Sequence, residues 1–427
     1  MALPFSTTTR VMLALASAAV IGLLLAWIAP DAANRVAAIA QPVGKLWLNA
    51  LQMTVVPLVG TLVVLGVATA SDAAASGRIA RKAIVIFLVL LGVGATFAAI
   101  AAPALFSLMP RSPALAAALQ QAAGSALDVQ APAAADWLTG IIPSNAIAAA
   151  AASAMLPLVV FSLFFGFAMT RIDTARRERL LELVQAIADV MIVIVRWVLV
   201  VAPIGIFALV LAVTAQAGAA TLQALGIYIL VMCVLYLVVT ALVYPLVRVW
   251  TGRSLVQFAS AIFPAQAVAM STQSSLASLP AMVEVGHRRL GLPLATVSLV
   301  LPMAVSLFRL TSPVQYIGVA AFVAWAYGID IGAMQWATAV ALAVVISLGS
   351  VGLPGQVSFM ATNMPVTQAL GLPVEPLGLL LAVDTIPDVF ATLGNVTADV
   401  SAAAIVNGSD TANPDDAGVL AQPPGQR

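Results

Sequence analysis

Apolar runs long enough to cross a bilayer recur along most of the chain. The first extends from Val11 to Ile28, and others begin near Leu46, Ala83 and Leu222. With 62% hydrophobic and only 8% charged residues, the composition is far from the roughly one-quarter charged residues of a soluble domain. Inside hydrocarbon every backbone polar group needs an internal partner, which helices supply. The sequence therefore predicts an all-α polytopic membrane protein.

Lys and Arg residues are shared unevenly between alternating loops. Three fall on one side of the predicted membrane: Arg35, Lys45 and Arg111. Twelve fall on the other: Arg10, Arg78, Arg81, Lys82, Arg171, Arg176, Arg177, Arg179, Arg248, Arg253, Arg288 and Arg289. By the positive-inside rule, this bias predicts that both termini lie in the cytoplasm.

One apolar segment, from Leu372 to Val406, carries charges that are costly at membrane depth. A carboxylate there costs at least ~2.5 kcal/mol, so it normally faces a protein interior or a wet cavity. Helical spacing puts five polar side chains on or near one face: Asp384, Asp388, Thr392, Asn395 and Asp399. We interpret this face as a binding site. The alternative is a polar face that only holds helices together.

The sequence does not favour an enzyme. His287, the only histidine, lies in H-R-R between helices, and no Ser-His-Asp or metal cluster can be assembled from the chain. Cys233, the only cysteine, excludes an intramolecular disulfide. We therefore predict no catalytic residues, no cofactor, no certain metal site and no nucleic-acid partner, and expect a small-molecule substrate and membrane lipid as partners.

Two segments are too short for two crossings but return to the side on which they start. Residues 258–290 have a small, polar centre from Ser271 to Ser278, and residues 340–369 contain S-L-G-S-V-G-L-P-G from Ser347 to Gly355. Each full crossing needs about 20 residues. We therefore predict two re-entrant hairpins, whose tips would present helix ends and amide groups to an anion.

The chain resembles the dicarboxylate/amino acid:cation symporter family, the prokaryotic glutamate transporter homologues, over residues 46–406. Six motifs in the family's order carry the resemblance: M-T-V-V-P-L-V (53–59), I-I-P-S-N with M-L-P-L-V-V-F (141–161), A-P-I-G-I-F (202–207), Q-S-S-L-A-S-L-P (273–280), G-S-V-G-L-P-G (349–355) and V-D-T-I-P-D with N-V-T-A-D (383–399). The resemblance implies eight transmembrane helices, two re-entrant hairpins and a homotrimer in a bacterial inner membrane.

It also implies an elevator mechanism, in which a transport domain moves across the membrane against a scaffold. The scaffold would comprise residues 1–82 (helices 1 and 2) and 137–218 (helices 4 and 5). The transport domain would comprise residues 83–109 (helix 3) and 219–406 (helix 6, hairpin 1, helix 7, hairpin 2 and helix 8). Residues 110–136 are predicted to form an external loop and residues 407–427 a disordered tail.

The resemblance places part of a substrate site at the hairpin tips. Ser274 and Ser275 match serines whose hydroxyl and amides receive the substrate α-carboxylate. Ser350 and Gly352 fall in the second hairpin, which gates the site in this family. These four positions are therefore predicted substrate contacts.

The last helix supplies the other predicted contacts. Asp388 matches an aspartate that pairs with the substrate amino group, Thr392 and Asn395 match polar substrate contacts, and Asp399 matches a sodium ligand. Ala391 stands where the family usually has an arginine that reads a side-chain carboxylate. Without that guanidinium, nothing obvious neutralises a second carboxylate, so a small neutral amino acid is the predicted substrate.

Helix 7 also departs from the family, which carries N-M-D-G-T where this chain reads F-R-L-T-S from Phe308 to Ser312. Oxygen ligands that suit a hard cation are lost there. We predict that the guanidinium of Arg309 occupies the sodium space and pairs with Asp399 or another carboxylate of helix 8 as a tethered cation. Snorkelling or a structural ion pair would explain it equally well. The predicted coupling residues are Asp384, Asn395, Asp399, Arg309 and Ser312.

These features predict a secondary active transporter of small neutral amino acids. Sodium coupling is doubtful, and a proton carried by a carboxylate is the predicted replacement. Two alternatives stay open. Arg309 could bind the second carboxylate of an acidic amino acid or a C4-dicarboxylate in a cation symporter. A degenerate member could instead work as a facilitator or sensor without concentrative transport.

Overall fold

The computed structural model describes residues 7–75, 77–110, 141–349 and 355–411, which are nearly all helical. The α-helices of these residues are α1 Thr7–Ile28, α2 Pro30–Ala75, α3 Arg78–Ser107, α4 Ala146–Ala151, α5 Met155–Met169, α6 Thr174–Val200, α7 Ala202–Ala217, α8 Ala219–Thr251, α9 Leu255–Thr272, α10 Ser275–Glu284, α11 Leu294–Leu307, α12 Thr311–Tyr327, α13 Ala333–Gly349, α14 Gly355–Ala369, α15 Pro376–Val383 and α16 Thr385–Thr411. A π-helical turn, Val285–Arg289, follows α10.

Eight helical spans in the described residues are long and apolar enough to cross a membrane. They agree with the predicted class, an all-α polytopic membrane protein. These eight spans are not the eight helices that the sequence predicts. Helix α9, an arm of a predicted hairpin, is long enough to be counted, whereas α5 and α7 are too short.

Two breaks between helices have local causes. Helices α6 and α7 are separate, because the chain leaves helical geometry at Val201 and Pro203 has no N–H to continue the ladder. Helices α4 and α5 are separated by a short break in which Ser153 has a positive φ of 53°. Pro157 follows in the first turn of α5, where its missing N–H is tolerated.

The helices pack in two groups that meet along α2. In one group, α2 packs against α5, α6 and α7, and α1 lies on α7. In the other, α16 packs against α8, α9 and α11, while α12 packs against α3 and α14. Contacts of α2 with α13 and α14, and of α7 with α15, join the groups. Their roles as scaffold and moving transport domain stay a prediction.

Helices α9 and α10 form a helix–break–helix unit. Gln273 adopts left-handed geometry with φ 50°, and Ser274 is extended and caps α10. This break lies inside the predicted polar centre of the first hairpin. Helices α13 and α14 are the arms of the second predicted hairpin, whose tip from residue 350 to 354 lies outside the described residues, as do most of the predicted external loop and the predicted tail. Re-entry of either unit into a membrane stays a prediction.

Candidate functional site

A short non-helical break separates α11 from α12. Phe308 is extended, with φ −124° and ψ 101°, and its ring stacks on Phe87 with centroids 4.8 Å apart and planes 3° from parallel. Both rings are fully buried. The stacked pair fixes the end of α11. The next residue, Arg309, therefore lies in the non-helical break between the two helices.

Asn395 holds the other side of this break. The backbone N–H of Thr311 donates to its Oδ1 at 3.0 Å, and the Thr311 hydroxyl lies 2.9 Å from the same oxygen and 3.1 Å from the Ala391 carbonyl oxygen. Gly394 lets the helices approach, since a Cβ there would lie 2.6 Å from both the Thr311 methyl and the Thr240 hydroxyl. The start of α12 is thereby tied to α16 beside Ala391.

Arg309 is the positive charge that acts on two carboxylates of α16. It is half-buried and interacts electrostatically with Asp388 and Asp399. Within the described residues it makes no ion pair shorter than 4.0 Å, and its Nε has no hydrogen-bond partner. Asp399 is fully buried, and neither of its carboxylate oxygens accepts a hydrogen bond from a described residue. Arg309 Nε and both Asp399 carboxylate oxygens thus keep hydrogen-bonding capacity that no described residue uses.

Asp384 occupies a separate polar cluster one turn before Asp388. The Tyr228 hydroxyl donates to its Oδ1 at 3.0 Å, and the Gln315 amide donates to its Oδ2 at 2.8 Å. The side chain is buried. The hydroxyl of Tyr236, two turns after Tyr228 on α8, is also buried and has no partner among the described residues.

The break between α9 and α10 lies at the start of α16. The Gln273 side-chain amide donates to the Thr385 carbonyl oxygen at 3.4 Å. The Ser274 hydroxyl caps α10 by accepting the Ala277 N–H at 3.2 Å. The Ser275 hydroxyl is buried and has no hydrogen-bond partner in the described part of the chain. One serine of the tip therefore shapes the backbone, and the other keeps its hydrogen-bonding capacity.

A family model for the sodium:dicarboxylate symporter family matches residues 8–409. The chain belongs to this family. The proton/glutamate-aspartate symporter of Escherichia coli (strain K12) is 28% identical over 407 residues, covering 94% of this chain and 92% of that protein. The proton/sodium-glutamate symport protein of Bacillus caldotenax is 28% identical and covers 87% of this chain and 88% of its own length. C4-dicarboxylate transport protein 2 of Bradyrhizobium sp. (strain ORS 278) is 28% identical, covering 91% and 86%.

Membership of the sodium:dicarboxylate symporter family confirms the resemblance identified in the sequence. This family consists of transporters that move cations together with their substrates. The chain is therefore a membrane transporter and not an enzyme.

The structure brings together most of the residues predicted for the site. Thr392, Asn395 and Asp399 are buried on α16, and Asp388 is half-buried one turn earlier. Ala391 is buried beside the helix break, and the Ser312 N–H donates to the Arg309 carbonyl oxygen at 2.9 Å within it. Asp384 accepts hydrogen bonds from Tyr228 and Gln315. Ser350 and Gly352 lie outside the described residues. The roles of all these residues stay proposals.

Four polar residues near the site were missed by the sequence interpretation. On α12, Thr311 donates a hydrogen bond to Asn395, and Gln315 donates one to Asp384. Both residues lie in or beside segments that were compared with the family. Tyr228 and Tyr236 face the site from α8, which reads as a plain apolar helix. Two tyrosines eight residues apart in such a helix were the available signal, because a buried Tyr hydroxyl usually finds a partner.

Proposed function

We propose that the chain is a cation-coupled symporter of an acidic amino acid. Its named relatives transport glutamate and aspartate or C4-dicarboxylates, and none of them supports the neutral amino acid predicted from Ala391. They favour the alternative, in which Arg309 binds the second carboxylate of the substrate. The observation that carries this proposal is the position of Arg309 at a helix break tied to the Ala391 carbonyl.

Arg309 replaces the missing arginine from the neighbouring element. The hydroxyl of Thr311, two residues after Arg309, donates to the Ala391 carbonyl oxygen and to Asn395 Oδ1. The side chain of Arg309 therefore begins close to position 391, where the family's arginine begins. Its Nε has no partner in the described residues. A guanidinium can hold a carboxylate by two parallel hydrogen bonds, which gives both affinity and geometric selection. We therefore assign Arg309 to the substrate's side-chain carboxylate.

The other end of the substrate would lie between the first hairpin and α16. The buried, unbonded Ser275 hydroxyl and the backbone amides that begin α10 suit an α-carboxylate. Asp388 suits the ammonium group. A plain C4-dicarboxylate is the second candidate, named by several relatives, but it would place a carboxylate against Asp388, which is unfavourable unless a proton is taken up.

The proposed coupling ion is a proton. A sodium site needs several converging oxygen atoms. The break between α11 and α12 supplies a guanidinium instead. A proton needs only one carboxylate in a shielded place. Asp384 is buried and makes two hydrogen bonds, and neither comes from a cationic side chain. We propose that Asp384 carries the coupled proton and that Asp399 stays charged opposite Arg309.

Family membership also supports three broader proposals. We propose that the chain assembles as a homotrimer in a bacterial inner membrane with both termini in the cytoplasm. The two packing groups would act as scaffold and moving transport domain. Helices α9 with α10, and α13 with α14, would be the re-entrant hairpins.

The function is tested by uptake into liposomes that contain the purified protein. Labelled aspartate, glutamate, succinate and alanine are offered with an inward proton gradient, once with sodium and once with choline. Concentrative uptake of aspartate or glutamate that is unchanged in choline is expected. The Arg309→Lys variant keeps the positive charge but loses the two parallel N–H donors of the guanidinium. It should raise KM for aspartate at least tenfold.

Three results would contradict parts of the proposal. Uptake of alanine but not aspartate would support the sequence prediction that the substrate is a small neutral amino acid. A strict sodium requirement would remove the proton as the coupling ion. Uptake that only equilibrates aspartate, without exceeding the outside concentration under any gradient, would identify a facilitator.

A further inference from the structure

An amphiphilic groove lies between α3, α8 and α16, away from the candidate substrate site. Its volume is about 470 Å³. Arg81 and Lys82 border one end, and the rest is apolar, with Val85 and Val89 on α3, Trp250 on α8 and Ile405 on α16. A charged end followed by an apolar trough matches a molecule with an anionic head and a hydrocarbon chain.

The dimensions of the groove fit one membrane leaflet. From Arg81 to Val89 the helix rises about 12 Å, close to the ~15 Å half-thickness of a bilayer core. Val85, Val89 and Trp250 leave 54%, 57% and 56% of their surface exposed, so the trough opens towards the surroundings of the protein. Trp side chains favour the headgroup level of a membrane, and Trp250 stands at the same end as the basic residues.

The walls of the groove are fixed by helix packing. Gly408 near the end of α16 packs directly on α8, since a Cβ there would lie 3.1 Å from the Trp250 carbonyl oxygen. Ile405, one turn earlier, is 4% exposed and closes the back of the trough. The groove is therefore a formed feature of the packed helices.

We propose that this groove binds one anionic phospholipid, with its phosphate at Arg81 and Lys82 and an acyl chain along Val85 and Val89. Arg81 and Lys82 belong to the side that the positive-inside rule predicts to be cytoplasmic, so the lipid would come from the cytoplasmic leaflet. The bound lipid would contact α3, α8 and α16 together and would stabilise their packing.

Native mass spectrometry of the delipidated full chain in neutral detergent tests it. Phosphatidylglycerol, phosphatidylcholine and inorganic phosphate are titrated separately. Saturable binding of one phosphatidylglycerol per chain is expected, with much weaker binding of phosphatidylcholine. The Arg81→Gln/Lys82→Gln variant should lose roughly 25-fold in affinity, about fivefold for each basic side chain near the headgroup.

A second variant and a matched control keep the proposal falsifiable. Val89→Trp leaves both charges in place but fills the trough, and should also weaken phosphatidylglycerol binding. The control is Arg253→Gln/Arg289→Gln, which removes two charges from a different cavity beside α9. Thermal unfolding without lipid checks that each variant is folded.

Several results would overturn the proposal. Equal affinity for phosphatidylcholine would remove the role of the anionic head, and full competition by inorganic phosphate would identify a phosphate site instead of a lipid site. An equal loss in the Arg253→Gln/Arg289→Gln control would show a nonspecific charge effect. Disulfide formation between two chains carrying Val89→Cys, in a Cys233→Ser background, would show that a second copy covers the groove.

Discussion

Thr311 and Asn395, 84 residues apart, are joined by two contacts to a single oxygen. The Thr311 N–H and hydroxyl both reach Asn395 Oδ1, at 3.0 and 2.9 Å. Both side chains are buried. This pair connects the helix break that carries Arg309 to the helix that carries Asp388 and Asp399.

The Thr311 hydroxyl is expected to contribute to this connection. Thr311→Val removes the hydroxyl but keeps the backbone bond, and should lower the free energy of unfolding by about 1 kcal/mol and raise KM for the substrate. Thr311→Ser keeps the hydroxyl and should behave closer to the parent. Denaturation in detergent and uptake in liposomes measure the two effects. Equal behaviour of the Val and Ser variants would mean that the hydroxyl contributes nothing.

Arg309 and Asp399 are expected to depend on each other for stability. Arg309→Gln leaves the fully buried Asp399 without its nearby cation and should cost about 1 to 3 kcal/mol, as expected for an uncompensated buried polar group. Adding Asp399→Asn should recover most of that loss. Thermal unfolding of the two single variants and the double variant measures the coupling. Additive losses would show that the two charges are independent.

Transport by the rescued double variant separates stability from function. If Arg309 binds the substrate, the double variant should be folded but unable to take up aspartate. Recovered aspartate uptake together with recovered stability would assign Arg309 to a structural role.

Asp384 is expected to link transport to the proton gradient. Asp384→Asn cannot release a proton in the ordinary pH range, so it should still exchange labelled for unlabelled substrate but should lose accumulation driven by a proton gradient. Tyr228→Phe is the matched control, since it removes one hydrogen bond to the carboxylate and keeps its ability to titrate. Gradient-driven accumulation by the Asp384→Asn variant would exclude this residue as the proton carrier.

The sequence predicted those features that depend on local pattern. The helical class follows from the apolar runs, and the break at Gln273 and Ser274 follows from the small, polar centre around it. The shared face of Asp388, Thr392, Asn395 and Asp399 follows from helical spacing alone, because each side chain's direction is set by its own helix.

Features that depend on tertiary packing were not predicted. The hydrogen bond from Tyr228 to Asp384 joins residues 156 apart, and no local pattern links them. The hydrogen bond from the Thr311 hydroxyl to the Ala391 carbonyl oxygen, between residues 80 apart, was not predicted either. Sequence spacing identifies a face of one helix but not the residue that faces it.

Two glycines in helix interiors are expected to respond in opposite ways to substitution by alanine. A Cβ on Gly205 would lie 2.3 Å from the Trp47 ring, whose Nε1–H donates to the Val198 carbonyl oxygen at 3.2 Å. Gly205→Ala should therefore cost about 1 to 3 kcal/mol by overpacking. Gly226 has open space around it, so Gly226→Ala should be neutral or stabilise by up to ~1 kcal/mol. Chemical denaturation in detergent compares them, and equal losses would contradict this packing.

Gly66 on α2 and Gly349 at the end of α13 allow the two packing groups to touch at the backbone. A Cβ on Gly66 would lie 2.8 Å from the Leu348 carbonyl oxygen, and one on Gly349 would lie 2.6 Å from the Leu62 carbonyl oxygen. Small residues permit such close approach between membrane helices. Because backbone atoms cannot move aside as a side chain can, Gly66→Ala should separate α2 from α13.

The proposed elevator makes this separation measurable. If α13 belongs to a domain that slides along α2, Gly66→Ala should disfavour this arrangement, change the rate of aspartate uptake and increase hydrogen exchange near the end of α13. Gly60→Ala is the matched control on the same helix, because a Cβ there meets only the Ser162 hydroxyl, at an ordinary 3.7 Å. Indistinguishable exchange and uptake in the two variants would mean that the contact between Gly66 and Gly349 does not restrain the moving domain.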